Sequence, residues 1–157
     1  MAKKQEPARQ IVAQNRKARH DYFIDETMEA GVALLGTEVK TLREGKGNLV
    51  DAYATEEGGE LWMLNAYIPE YGSGSHFNHE PRRKRKLLLH KRELAKLYIA
   101  VQQKGMTIIP LAIYFNDRGI AKVEIGLARG KKQYDKRETD KKRDWQRQKA
   151  RIVREMS

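Results

Sequence analysis

Short apolar segments broken by glycine and acidic residues dominate the chain, a pattern that predicts strands more than long helices. Asp21-Tyr22-Phe23-Ile24 and Gly31-Val32-Ala33-Leu34-Leu35-Gly36 are two such segments. Thr37 is suited to cap a short helix with Glu38 in its first turn, and Val39 and Leu42 then share one face. Residues 51–55 and 60–68 flank Gly58-Gly59, a hairpin signature. In the second arm Trp62, Leu64, Ala66 and Ile68 fall on one face and Leu61, Met63 and Tyr67 on the other, so this strand is expected to be central. A loop spans residues 72–81, after which the basic run Arg82-Arg83-Lys84-Arg85-Lys86 meets Leu87-Leu88-Leu89.

Residues 91–104 carry Leu94, Leu97, Tyr98 and Val101 at the i, i+3, i+4, i+7 spacing of a helix, and Gly105 ends it. Residues 107–115 read as a strand in which Pro110 demands an edge position or a bulge. Beyond the turn at residues 116–119, Ala121, Val123, Ile125 and Leu127 alternate with Lys122 and Glu124, which predicts a strand with one wet face. About six short strands, a lone mid-chain helix and glycine turns fit a mainly β fold, a closed antiparallel barrel of the OB type. Residues 1–14 lack any period and are expected to be a disordered arm, residues 15–130 the barrel, and residues 131–157 a basic tail. The apolar stripe of that tail holds only Trp145, Ile152, Val153 and Met156, too narrow to order it against the barrel. It is expected to be disordered when free and helical when docked.

Charge sharpens this division. The net charge is +11, which favours polyanionic partners. Residues 1–19 carry 6 Lys/Arg against 1 acid and residues 129–157 carry 12 against 5, while residues 20–128 carry 14 against 15. Basic ends on a balanced body suit contact along a nucleic-acid backbone. With no cysteine, disulfides, thiolate metal sites and cysteine nucleophiles are excluded. The N-terminus lacks the apolar core of a secretory signal, and no apolar run approaches the roughly 18 residues of a membrane span, so a cytoplasmic protein with no membrane partner is expected.

Candidate chemistry is sparse. Gly126-Leu127-Ala128-Arg129-Gly130-Lys131-Lys132 resembles a phosphate loop but has three residues between its glycines where four are needed, and Lys132 where a hydroxyl should bind magnesium. Its glycines are expected to release the chain from its last strand. His76 and His79, with Glu80 adjacent, lack a third ligand and read as solvated loop residues. No motif pairs an acid with a base, and Ser73 and Ser75 sit in no nucleophile motif, so nothing supports an enzyme. The run at residues 82–86 is either a solvated loop or an RNA contact. Lys131, Lys132, Lys136 and Arg137 around Tyr134 combine phosphate attraction with a stacking face, against the alternative of a functionless charged tail. Trp145, in a basic segment with little core around it, reads as a docking residue.

Several blocks together resemble the SsrA-binding (SmpB) family: Asn15-Arg16-Lys17-Ala18-Arg19-His20, Glu29-Ala30-Gly31, Gly36-Thr37-Glu38-Val39-Lys40-Thr41-Leu42-Arg43, Arg85-Lys86-Leu87-Leu88-Leu89, and Gly130-Lys131-Lys132 followed by Asp135-Lys136-Arg137. The resemblance implies a six-stranded OB barrel with three helices, no cofactor, and a non-enzymatic adaptor. Such an adaptor binds the tRNA-like domain of tmRNA and, with elongation factor Tu, delivers alanyl-tmRNA to stalled ribosomes for trans-translation. It implies tmRNA contacts at Asn15, Arg16, Arg19, His20, Glu29, Leu88 and Lys122. It also implies a tail acting in the decoding centre and empty mRNA channel through Lys131, Lys132, Tyr134, Asp135, Lys136, Arg137, Trp145, Ile152 and Val153. Tyr134 departs from relatives that carry histidine there. A constitutive ribosomal or initiation-factor-like OB protein is the competing expectation, and an RNA nuclease the third.

Overall fold

The structure, a computed structural model, describes residues 9–72, 77–130, 147 and 151. Seven strands and three helices follow one another along these residues: β1 (Gln10–Gln14), α1 (Arg16–Asp21), β2 (Tyr22–Val32), α2 (Gly36–Arg43), β3 (Tyr53–Glu57), β4 (Glu60–Leu64), β5 (Arg85–Leu88), α3 (Lys91–Lys104), β6 (Thr107–Phe115) and β7 (Ala121–Gly130). Every pairing is antiparallel. The order β6-β3-β4-β5-β2-β7 returns to β6, so six strands close a ring and β1 adds to the outer side of β6. This is the mainly β, barrel-like architecture expected from the pattern. The ring is thinnest between β3 and β6, joined at the single pair Ala54 and Ile108. Helix α3 covers that seam, burying Leu97 and Ala100 in the core while Leu94 and Val101 pack at its margin and Tyr98 stays half-exposed. It ends where expected, with Gly105 left-handed at φ 63° and its N–H bonded to the Ala100 carbonyl.

Several elements depart from the sequence reading. Residues 10–14 do not belong to a disordered arm: they form β1, with Val12 and Ala13 buried. Two buried residues make a faint signal, and it is the open edge of β6 that gives this segment hydrogen-bond partners. The body therefore begins at residue 10 or before. Strand β2 is one continuous strand of 11 residues where two short segments were expected. Its middle, Asp25-Glu26-Thr27, faces water and shows no apolar run, and a bulge between Ile24 and Glu26 absorbs one residue. Strand β4 lies between β3 and β5, central as expected, but it ends at Leu64, with Leu61 and Met63 buried and Trp62 and Leu64 only partly so. Asn65, left-handed at φ 61°, ends the strand and swings Ala66 and Ile68 back into the core. Gly126 and Gly130 do not release the chain together, because Gly126 lies inside β7, where a Cβ would stand 3.0 Å from Leu111 Cδ1 and 3.1 Å from Ile24 Cγ2.

Pro110 sits in β6, which pairs with β1, β3 and β7, and the expected bulge is found between Pro110 and Ala112. The Gly58-Gly59 hairpin has both glycines at positive φ, 63° and 79°, the backbone a tight two-residue turn requires.

Helix α2 is organised by Glu38, not by a Thr37 cap. Leu35 holds the cap position, and its N–H donates to Glu38 Oε1 at 2.8 Å. The Glu38 carboxylate is fully buried and also accepts from Arg83 and from the fully buried Arg85. Arg85 donates further to the carbonyls of Ala66 (2.8 Å), Arg83 (3.0 Å) and Pro81 (3.1 Å). Thr37 instead meets His79 Nδ1 at 2.9 Å, and His79 Nε2 lies 2.8 Å from the Ile68 carbonyl. His79 is thus buried and structural, where a solvated loop residue was expected; His76 lies outside the described residues.

Burial opposes the charge on Glu38, yet hydrogen bonds from Arg83 and the Leu35 N–H, with the Arg85 charge, hold its carboxyl below the ordinary 4.5. A depressed carboxylate stabilises the fold above its unfolded pKa, and this contribution disappears as pH falls through the folded value. Denaturant melts of E38Q are expected to show a loss of about 3–5 kcal/mol at neutral pH, because two guanidinium groups are left without their anion. Below about pH 4 the difference between wild type and variant should shrink.

Candidate nucleic-acid interface

The outer faces of β5, β2, β7 and β6 are continuous, with the β6 part covered. Cross-strand register sets Leu88 opposite Gly31, Gly31 opposite Lys122, Lys122 opposite Tyr114, and Tyr114 opposite Ile11 of β1. One step along, Glu29 faces Glu124 across β2 and β7. Gly31 leaves room for its neighbour, since a Cβ there would stand 3.1 Å from Leu88 Cβ. Leu88 lies over that gap half-exposed, so its apolar surface faces outward.

Charges on this surface hold one another in place. The Tyr114 hydroxyl donates to Glu29 Oε2, and Lys122 Nζ stands 4.0 Å from Glu29 Oε1. Arg9 stacks over the Tyr114 ring with its guanidinium carbon 4.7 Å from the centroid, and its Nη1 reaches Glu124 Oε2 at 3.5 Å. Arg19 reaches the other Glu124 oxygen, also at 3.5 Å. Burial, then the hydrogen bond to Glu29 and its negative charge, push the Tyr114 phenol far above its ordinary range, so it remains a donor at any physiological pH.

Helix α1 is pinned beside this surface by Asn15. The Asn15 side chain accepts from the Ala18 N–H at 3.1 Å and donates to the carbonyls of Leu49 at 3.0 Å and Pro110 at 3.4 Å. Ala18 packs in a small second core with Ile109, Leu111 and Ala128. The helix therefore turns Arg16, Arg19 and His20 outward, with His20 Nδ1 3.2 Å from Asp21 Oδ1.

Of the residues singled out in the sequence, the structure brings Arg19, Glu29, Leu88 and Lys122 onto one surface, with Arg16 and His20 on the adjoining helix. Asn15 is buried and spends its polar atoms on the fold. Lys131, Lys132, Tyr134, Asp135, Lys136, Arg137, Trp145, Ile152 and Val153 lie outside the described residues. The run at residues 82–86 is neither a solvated loop nor a set of free cations. Arg83 and Arg85 hold Glu38, Lys84 meets Glu57 at 3.2 Å, Lys86 meets Glu60 at 2.7 Å, and Arg82 lies over the Tyr67 ring. The sequence reading missed Arg9, Tyr114 and Glu124. A phenol inside an otherwise apolar strand was the available signal for Tyr114, since a buried hydroxyl needs a partner. Among the described residues no cluster of three or more His, Asp or Glu side chains is suited to a metal ion, and no helix is long and apolar enough to cross a membrane.

The sequence profile described as SmpB protein matches residues 12–155. The chain belongs to the SmpB family. Among SmpB relatives, the SsrA-binding protein of Brucella anthropi is 58% identical over 152 residues, covering 97% of this chain and 96% of that protein. The SsrA-binding protein of Brucella canis is 57% identical with the same coverage. A chain in a solved structure described as "tmRNA-SmpB: a journey to the center of the bacterial ribosome" is 61% identical, with a TM-score of 0.65, and the match covers 75% of this chain and 82% of that one.

As the cap of α1, Asn15 should matter to any SmpB surface built on that helix. N15A is expected to lower stability by about 1–2 kcal/mol in chemical denaturation. K17A, at an exposed position of the same helix, should leave it within about 0.5 kcal/mol of wild type.

Proposed function

We propose that this chain is an RNA-binding adaptor that holds the tRNA-like domain of tmRNA and carries it to stalled ribosomes for trans-translation. The observation that carries the reading is the surface on which Leu88, Glu29, Lys122 and Arg19 come together from four separate elements. It offers what folded RNA requires: apolar area for an unstacked base, a carboxylate that accepts from N–H donors, and cations for phosphate. The chain's identity to SsrA-binding proteins over nearly its whole length supports the same conclusion.

In this reading the work is divided. The body up to Gly130 binds tmRNA through Arg16, Arg19, His20, Glu29, Leu88 and Lys122, and Asn15 acts by fixing α1. Residues 131–157 act at the ribosome, in the decoding centre and the empty mRNA channel, with Lys131, Lys132, Tyr134, Asp135, Lys136 and Arg137 near the body and Trp145, Ile152 and Val153 beyond. That arm acts as a helix when docked, and Arg147 and Arg151 are already helical in the chain alone. Elongation factor Tu joins through alanyl-tmRNA, the setting is the cytoplasm, and the chain itself performs no chemistry.

Two measurements test this. K122A should weaken binding to the tRNA-like domain and reduce the slope of log K against log salt by about one, the signature of one lost phosphate contact. A chain ending at Gly130 should bind that RNA as the full chain does, yet fail to support tagging of stalled products. Ribosome occupancy that persists undiminished in cells lacking tmRNA would instead identify a constitutive ribosomal protein.

A further inference from the structure

Tyr114 lies on the outer face of β6, in register with Lys122 of β7 and Ile11 of β1. Its ring is buried, and its hydroxyl reaches along the same face, across β7, to Glu29 Oε2 on β2. Arg9 closes over the ring from the other side. Glu29 is otherwise a half-exposed side chain on an outer face, with freedom to rotate among several conformers. The bond to Tyr114 removes that freedom. It occupies Oε2 and leaves Oε1 beside Lys122 Nζ, at 4.0 Å.

We propose that Tyr114 is a positioning residue for RNA recognition: it fixes the Glu29 carboxylate so that Oε1 accepts from an N–H or O–H donor of the bound RNA. This rests on the RNA-binding reading above. A phosphate has no donor to offer and is repelled by a carboxylate, so the partner of Oε1 is a base edge or a ribose 2′-hydroxyl. Lys122 supplies the neighbouring cation, which attracts the RNA backbone beside the carboxylate. Glu29 thereby contributes discrimination, and Tyr114 contributes the order that makes one geometry available before binding.

The test is a double-mutant cycle on the full chain with the transcribed tRNA-like domain as probe. Y114F keeps the ring, its packing and the Arg9 stack, and removes only the hydroxyl; thermal melts of each variant check that the fold is kept. Y114F is expected to raise Kd about tenfold, the loss of a charge-assisted hydrogen bond. The salt slope should not change, because no cation is removed. In an E29A background Y114F should have no further effect. If Y114F binds as wild type does, or weakens E29A by the same factor as wild type, the positioning role is wrong. If wild type itself fails to bind the probe, it is the RNA-binding reading that falls. Probes with 2′-deoxy substitutions in the bound loop separate the two donors: the Tyr114 effect disappears if the ribose supplies the hydrogen and persists if the base does.

Discussion

A carboxylate enclosed by two guanidinium groups sets the geometry on which the outer surface depends. Glu38 reaches from α2 to Arg83 and Arg85, and Arg85 alone engages three carbonyls, those of Pro81 and Arg83 just before β5 and that of Ala66 after β4. Strand side chains alternate, so fixing Arg85 inward fixes Leu87 inward and Lys86 and Leu88 outward. A slip of one residue would bury Leu88 and expose Leu87. The buried ion pair therefore decides which leucine is available over Gly31. Charge in the interior is costly unless fully partnered, and every polar atom here has a partner, which leaves this register without a cheap alternative.

The same logic explains why the most basic stretch of the body is not its most promising RNA surface. Residues 82–86 carry five cations in a row, yet each is engaged with an acid or an aromatic ring of its own chain. On β2 and β7 the cations also meet acids, but there charges of both signs are arranged with an apolar residue, Leu88, beside them. Orientation, more than charge density, distinguishes the two. Carboxylates at Glu29 and Glu124 meet Lys122, Arg9 and Arg19, so the charges on this face form a cross-linked pattern.

Much of this was legible in the sequence, and the limits have physical causes. Helix α3 and its glycine stop were readable because local spacing alone specifies them, as were the Gly58-Gly59 turn and the alternation in β7. Segments whose structure is set by a distant partner were not. Strand β1 exists because β6 has a free edge, and β2 is continuous because β7 runs beside nearly all of it. Family resemblance located Glu29, Leu88 and Lys122, but not the phenol that holds one of them. Tyr114 and Glu29 are far apart in sequence, and no local pattern announces such a pair.

Strand β7 has one more consequence, a mechanical one. It is paired along most of its length with β2 on one side and β6 on the other, and its last residue, Gly130, is still matched to Tyr22. Residues 131–157 continue directly from that point. Interstrand hydrogen bonds lie across the strand direction, so a pull on the tail along the axis of β7 strains both ladders together instead of opening them one bond at a time. An extension anchored this way can bear load while the globule it hangs from stays intact.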